Sequence, residues 1–220
     1  MAESWQKYVA EAFGVFAFVF IGAGAAIANG TSGGLGVFGV ALAHGLAFVA
    51  LFYATAYISG AHLNPAVTFS LWATGHMKTL DGVAYIVSQL VGGVMAMLFL
   101  KIIFAATPEA LSLGGIGESI PTGLALFVEA ILGFIFVYVY FSTVINQKDL
   151  RHAALALGAV VMGAILAGGA LSGGMANPAR VFGPALILNS WGSHFIYWFG
   201  PFIGGLLAAF VCHFGYSKKR

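Results

Sequence analysis

Six long apolar stretches dominate the hydrophobic pattern of the chain. They cover roughly residues 8–28, 37–58, 82–104, 121–145, 153–171 and 194–215. An α-helix needs about 20 predominantly apolar residues to cross the hydrocarbon core of a bilayer. Because each stretch has about that length, the pattern predicts six transmembrane helices.

Two shorter segments with a polar, helix-breaking start lie between these stretches. "SGAHLNPAVTF" begins at Ser59, and "SGGMANPARVF" begins at Ser172. Asn is a favoured N-cap residue and Pro is favoured at the first helical position, so each Asn-Pro-Ala triplet predicts the start of a helix. The apolar runs that follow, 66–73 and 181–188, are long enough to cross only half a bilayer. We therefore predict two half-helices that begin inside the membrane, where irregular backbone must be buried in protein or line a watery cavity.

The same order of features occurs in both halves of the chain. A glutamate in a span, Glu11 or Glu129, is followed by an Asn-Pro-Ala triplet, and then by a tyrosine and paired glycines in "YIVSQLVGG" and "YWFGPFIGG". Three spans per half is an odd number, so the two halves must have opposite orientations in the membrane. The sequence thus predicts an all-α membrane protein with one domain over residues 1–220, built from inverted repeats over 1–115 and 116–220.

The composition agrees with a surface that faces lipid. The chain is 60% hydrophobic and only 7% charged, whereas soluble domains are about a quarter charged. There is one cysteine, Cys212, so no disulfide can form within the chain. We expect no enzyme activity, cofactor or metal, because no nucleophile–base set or metal-ligand cluster is present. We also expect no nucleic-acid partner, because no basic run is interleaved with aromatics.

Charge placement predicts the orientation of the chain. If the N-terminus is inside, most cations fall on one side of the membrane, which places both termini in the cytoplasm. The short termini favour a cell-membrane protein over a vacuolar one. The cations on this side are Lys7, Lys78, Lys148, Arg151, Lys218, Lys219 and Arg220.

Two Asn-Pro-Ala boxes, the second running into Arg180, with six spans and two membrane glutamates, resemble the aquaporin family, also called major intrinsic proteins, over essentially the whole chain. The resemblance implies a right-handed bundle of six helices and two re-entrant half-helices, assembled as a homotetramer with one pore per subunit. It also implies passive conduction of water and small neutral solutes across the lipid bilayer, with protons and ions excluded. The pore residues it assigns to the boxes are Asn64, Pro65, Ala66, Asn177, Pro178 and Ala179.

The resemblance further assigns a selectivity filter on the outer side, formed by His44, Ile165, Gly174 and Arg180. Ordinary water channels have Phe and His at the first two positions. The set here is similar to that of plant tonoplast aquaporins that pass water and ammonia, although their additional third-loop histidine is missing from "TPEALSLGGIGESI". Ile and Gly should widen the opening, so we expect ammonia or glycerol to pass as well as water. An equally good interpretation of His44 is a span histidine that bonds a neighbouring carbonyl.

The remaining assignments from the resemblance concern the inner half of the pore. His62 and the carbonyls of Gly60 and Ala61 are expected to line it, with a packing histidine as the alternative for His62. Glu11 and Glu129 are expected to hold the box loops by accepting backbone N–H bonds. Glycines in the spans are interpreted as packing residues that let helices approach closely. These glycines are Gly22, Gly24, Gly92, Gly93, Gly204 and Gly205.

Two functions of other classes stay open at this point. An ion-coupled secondary transporter also has inverted repeats and broken helices, and Glu11 or Glu129 could carry its coupling proton. The second alternative is a structural membrane protein that forms junctions through its outer loops.

Overall fold

The computed structural model describes residues 3–104 and 115–215. Within these ranges all the regular elements are helical. The tail cations Lys218, Lys219 and Arg220, and residues 107–114 of the third loop, lie outside the described residues. The helices are α1 (Ser4–Ser32), α2 (Gly36–Ser59), α3 (Pro65–Ala73), α4 (Thr79–Phe104), α5 (Thr122–Tyr140), α6 (Leu150–Ser172), α7 (Pro178–Leu188) and α8 (Ile196–Gly215), with a π-helical turn at Phe141–Asn146 that continues α5.

Six of these helices are long and apolar enough to span a bilayer, with mean hydropathies between 1.5 and 2.3. They are α1, α2, α4, α5 with its π-helical turn, α6 and α8. The prediction of six membrane-length helices is confirmed. Most helices run a few residues further than the apolar stretches, because polar flanking residues such as Thr79 and Ser172 continue the helical backbone.

The two short helices, α3 and α7, begin at the prolines of the Asn-Pro-Ala triplets. The side-chain oxygen of Asn64 accepts the backbone N–H of Ala66 at 2.8 Å. The side-chain oxygen of Asn177 accepts the backbone N–H of Ala179 at 3.0 Å. Each asparagine thus satisfies a backbone donor at the first turn, where a helix has no partner of its own for it. Nine and eleven residues long, the two helices are too short to cross a bilayer.

The helices pack in matched pairs across the two halves of the chain. α1 packs against α4 as α5 packs against α8, and α1 contacts α2 as α5 contacts α6. The halves join where α2 crosses α6 and where each short helix contacts the other half, α3 against α8 and α7 against α4. This pairing agrees with a duplicated unit, and the division into inverted repeats over 1–115 and 116–220 stays a prediction.

Glycines at the helix crossings let backbones touch. A Cβ built at Gly92 on α4 would overlap the carbonyl oxygen of Ala12 on α1. A Cβ built at the equivalent Gly204 on α8 would overlap the carbonyl oxygen of Ala130 and lie 2.7 Å from the backbone nitrogen of Phe134, both on α5. Membrane helices gain little from the hydrophobic effect when they associate, so this close backbone packing is a main source of their attraction.

The outward surface is strongly apolar. Leu80, Ile102 and Phe214 have 79%, 77% and 70% of their surface exposed, and many other large apolar side chains are also exposed. Soluble monomers rarely expose apolar area on this scale. Lipid or neighbouring subunits must therefore cover this surface.

We predict that Gly204→Ala lowers the midpoint of thermal unfolding in detergent, because the added methyl forces α5 and α8 apart at a cost of about 1–3 kcal/mol. The matched control is Gly163→Ala on α6, where a built Cβ meets no atom within 4 Å. The control should keep or slightly raise the midpoint, since Ala is a better helix former than Gly. Equal midpoints for the two variants would contradict the role given to this crossing.

Candidate functional site

A buried carboxylate holds the first box loop. Glu11 on α1 is fully buried. Its oxygens accept hydrogen bonds from the hydroxyl of Ser59 at 2.7 Å and from the backbone N–H groups of His62 at 2.9 Å and Leu63 at 2.7 Å. The carboxylate thus supplies hydrogen-bond acceptors to a stretch of backbone that lies between two helices, outside their regular hydrogen bonding.

The second box loop is held in the same way by Glu129 on α5, which is also fully buried. Its oxygens accept from the hydroxyl of Ser172 at 2.6 Å and from the backbone N–H groups of Met175 at 2.9 Å and Ala176 at 2.7 Å. These three donors match the serine hydroxyl and the two backbone N–H groups that bind Glu11. Both carboxylates therefore contact backbone as the family resemblance implies.

The loop backbone is strained at matching positions. Leu63 and Ala176, directly before the two asparagines, have φ values of 47° and 49°. Residues with a Cβ disfavour this left-handed region, and such a conformation costs about 1–3 kcal/mol each. The bonds from Leu63 and Ala176 to the carboxylates offset this cost.

Tyrosines fix the carbonyls at the start of each loop. The hydroxyl of Tyr85 donates to the carbonyl of Ser59 at 2.9 Å, and that of Tyr197 donates to the carbonyl of Ser172 at 3.0 Å. Tyr140 donates to the carbonyl of Gly60 at 2.8 Å. In the sequence, the only signal for these contacts is that a tyrosine and a Ser-Gly pair recur in each half.

The two loops meet through their asparagines. The Nδ2 of Asn64 donates to the carbonyl of Ala176 at 2.9 Å, and the Nδ2 of Asn177 donates to the carbonyl of Leu63 at 2.8 Å. An amide nitrogen carries two N–H groups. Each asparagine therefore has a second N–H, beyond the one that joins the loops.

A narrow cavity of about 10 Å³ lies at this meeting point. A cavity of about 10–15 Å³ holds about one water molecule. Asn64, Asn177, Gly174 and Arg180 supply polar atoms to its lining, and the rest is mainly apolar and aromatic. The other lining residues are Phe18, Phe48, Phe136, Val161, Ala164, Met175 and Ala176.

Wider cavities lie toward both ends of the helices. One of about 420 Å³ is lined by Arg180, His194 and Tyr197 among others, and a second of about 360 Å³ also borders Arg180. At the opposite end, a cavity of about 410 Å³ is lined by residues that include Gly60 and His62. The molecule thus has two vestibules with a constriction between them.

Arg180 is 6% exposed and lies in the first turn of α7. Its Nη1 donates to the carbonyl of Gly174 at 3.1 Å. Within the described part of the chain its Nε has no hydrogen-bond partner. A buried guanidinium with a spare donor beside a constriction suits the recognition of a solute oxygen or nitrogen lone pair.

The structure brings the predicted filter residues together around Arg180. His44 and Ile165 line the cavity of about 360 Å³ with Arg180, and Gly174 binds Arg180 through its carbonyl. The Nδ1 of His44 also bonds the carbonyl of Val40 at 2.8 Å. His44 therefore fits both interpretations. It is a span histidine that bonds a neighbouring carbonyl, and it also lies beside Arg180 in the predicted filter.

At the opposite end, Gly60 and His62 line the cavity of about 410 Å³, whereas the side chain of Ala61 packs in the hydrophobic core. The Nδ1 of His62 lies 3.0 Å from the hydroxyl of Thr68. That hydroxyl also accepts from the Nε2 of Gln89 at 3.0 Å.

Gln89 is a member of the site that sequence reasoning missed. Its Nε2 donates to Glu11 at 2.8 Å, and its side chain is fully buried. The second half has Pro201 at the equivalent place, so the internal repeat gave no signal for this contact.

Comparison with known proteins identifies the family. The family described as "Major intrinsic protein" matches residues 1–212. Probable aquaporin TIP2-1 of Oryza sativa is 41% identical, over 96% of this chain and 87% of that protein. Aquaporin Z of Photorhabdus laumondii is 31% identical, over 98% and 99%. The solved structure of the aquaglyceroporin from Plasmodium falciparum superposes with a TM-score of 0.85 at 21% identity, over 96% of each chain, which shows a shared fold.

These matches cover nearly the whole described fold, including both box loops and the constriction between them. They agree with the six apolar helices and with the absence of strands among the described residues. The chain therefore belongs to the major intrinsic protein family and is a multi-pass membrane protein that acts as a passive channel for water and small solutes.

Proposed function

We propose that this channel conducts water together with slightly larger neutral solutes, such as ammonia or glycerol, and excludes protons and ions. The observation that carries the proposal is the meeting of Asn64 and Asn177 in a cavity of about 10 Å³ beside Arg180. Solutes must pass this point in single file, close to fixed donors and a fixed positive charge.

Helix ends support the exclusion of cations at the centre. α3 and α7 both begin here, and the N-terminus of a helix carries about half a positive charge. The second N–H groups of Asn64 and Asn177 add donors directed at a solute. A water molecule at this point accepts from both amides, so its own protons point away and a chain of proton transfers is interrupted. Positive helix ends and an arginine also raise the barrier to cations.

The composition of the filter supports solutes broader than water. Ile165 offers an apolar wall in place of a polar ring. A Cβ built at Gly174 would overlap the carbonyl oxygen of Ala164 on α6, so this glycine does not itself widen the opening. His44 and Arg180 supply the polar edges of the same cavity. The similarity to the relative named probable aquaporin TIP2-1, at 41% identity, also supports an aquaporin-type filter.

The buried carboxylates favour the channel over an ion-coupled transporter. Glu11 and Glu129 each accept two backbone N–H bonds and a serine hydroxyl. A proton carrier must change its charge in every cycle, and protonation here would weaken the bonds that hold the loops. We therefore assign both glutamates a structural role.

The subunits form a homotetramer, for which the exposed apolar surface supplies contact area. Both termini lie in the cytoplasm, as the positions of Lys7, Lys78, Lys148 and Arg151 indicate. The protein resides in the cell membrane.

The proposed function predicts the flux of purified protein in liposomes. Osmotic water flux and the uptake of glycerol and methylamine, followed by stopped-flow light scattering, should exceed those of protein-free liposomes. They should not saturate with solute concentration and should not respond to a proton gradient. Saturation together with gradient dependence would indicate the transporter instead, and flux at the level of bare lipid would contradict a channel.

We predict that Arg180→Val leaves water flux largely intact but raises proton or cation leak. The expected increase is about tenfold or more, because a unit charge a few ångströms from a permeating cation contributes several kcal/mol at an effective dielectric constant of about 20. Leak is measured with a pH-sensitive dye inside liposomes that carry an imposed potential. Arg151→Val is the control, since Arg151 is exposed at the start of α6. Equal leak in both variants would show that exclusion rests on the helix ends alone.

A further inference from the structure

We propose that Gly22 on α1 is a positioning residue for selectivity, which sets the width of the filter by leaving room for the ring of His44. The inference rests on the proposed function, because it explains how a filter that contains a histidine stays wide. In sequence, Gly22 is one of several span glycines that all resemble packing residues.

The ring of His44 occupies the place that a side chain at position 22 would take. A Cβ built at Gly22 would overlap the Cδ2 and Nε2 atoms of His44 and would lie 2.7 Å from its Cγ. His44 is 2% exposed. The imidazole therefore lies against the backbone of α1, and any residue other than glycine at position 22 must displace it.

Two further contacts fix the ring in this position. The Nδ1 of His44 bonds the carbonyl of Val40 at 2.8 Å, and a carbonyl only accepts, so Nδ1 carries the proton. In the neutral ring the lone pair then lies on Nε2, the atom beside Gly22. The edge of the ring also packs at 78° to Phe18, with the centroids 5.8 Å apart.

The open space next to the ring is the filter itself. His44 lines the cavity of about 360 Å³ that also borders Ile165 and Arg180. A ring held back against α1 leaves this cavity open. A methyl group at position 22 would push the ring toward Arg180 and narrow the opening, which affects a broad solute more than water.

The neighbouring Gly24 provides a matched control. It lies on the same helix, but a Cβ built there meets the side chain of Leu100 on α4, at 3.3 Å, and approaches no part of the filter. Gly24→Ala therefore makes the same chemical change in α1 without touching His44.

The test compares Gly22→Ala with Gly24→Ala in liposomes at equal protein content. The ratio of methylamine uptake to water flux should fall about tenfold in Gly22→Ala, the lower end of what one methyl group contributes to discrimination in a pocket. Glycerol uptake should fall in the same direction, and Gly24→Ala should keep the ratio of the unmodified protein. An unchanged ratio in Gly22→Ala overturns the proposal.

A second background separates positioning from general distortion of α1. In His44→Ala there is no ring to displace, so adding Gly22→Ala should change the ratio no more than adding Gly24→Ala. A tenfold fall in this background as well would show that Gly22 acts without His44, and the proposal would be wrong.

Two controls keep each result interpretable. If Gly22→Ala is not recovered as folded protein by size-exclusion chromatography, the comparison is made in His44→Gln, whose flexible side chain relieves the overlap while still reaching the filter. There too the ratio should fall, and an unchanged ratio overturns the proposal.

Unmodified protein that passes neither water nor solute contradicts the proposed function itself. Unmodified protein that passes water but neither methylamine nor glycerol would contradict the wide filter, and it would also contradict the role proposed for Gly22.

Discussion

The bonds from two buried carboxylates to the box loops are the interaction on which the rest of the site depends. In a bilayer, each backbone N–H without a partner costs several kcal/mol, so irregular backbone at that depth must be satisfied from within the protein. Glu11 and Glu129 meet this demand from the neighbouring helices α1 and α5. They also hold Leu63 and Ala176 in left-handed conformations that would otherwise relax.

The position of the asparagines follows from this anchoring. Because Leu63 and Ala176 are fixed, their carbonyls are available to the amides of Asn177 and Asn64 from the opposite loop. Each asparagine therefore has two structural bonds, one to its own helix and one across the centre. The reciprocal arrangement locks two short helices end to end and leaves one N–H per amide.

The duplicated scaffold carries different chemistry at its two ends. On one side Arg180 and His44 border an open cavity, with Gly174 bonded to the guanidinium. On the other side His62 contacts Thr68, which also bonds Gln89. The two carboxylates anchor both loops in the same way, whereas the residues at the two ends differ.

Much of this fold could be predicted from the sequence. Hydropathy gave the six membrane-length helices, and the cap chemistry of Asn and Pro gave the starts of α3 and α7, because both depend on local properties of the chain. The bond between Gln89 and Glu11 could not be predicted, since it joins residues 78 positions apart and has no counterpart in the second half.

The role of Gly22 was likewise hidden, because several span glycines are equivalent in sequence and only packing distinguishes the one beside His44. The crossed bonds of the asparagines also depend on how two distant loops meet. Local sequence patterns report neither kind of contact.

We propose that the anchored loops enclose a path one water molecule wide, with the asparagine amides directed into it. A cryo-electron microscopy structure in lipid nanodiscs, at a resolution that shows ordered water, tests this most directly. The predicted result is a single file of water from His62 to Arg180, with a central molecule within hydrogen-bond distance of the Nδ2 atoms of Asn64 and Asn177. A dry or side-chain-filled segment at the two asparagines, or box loops detached from Glu11 and Glu129, would contradict it.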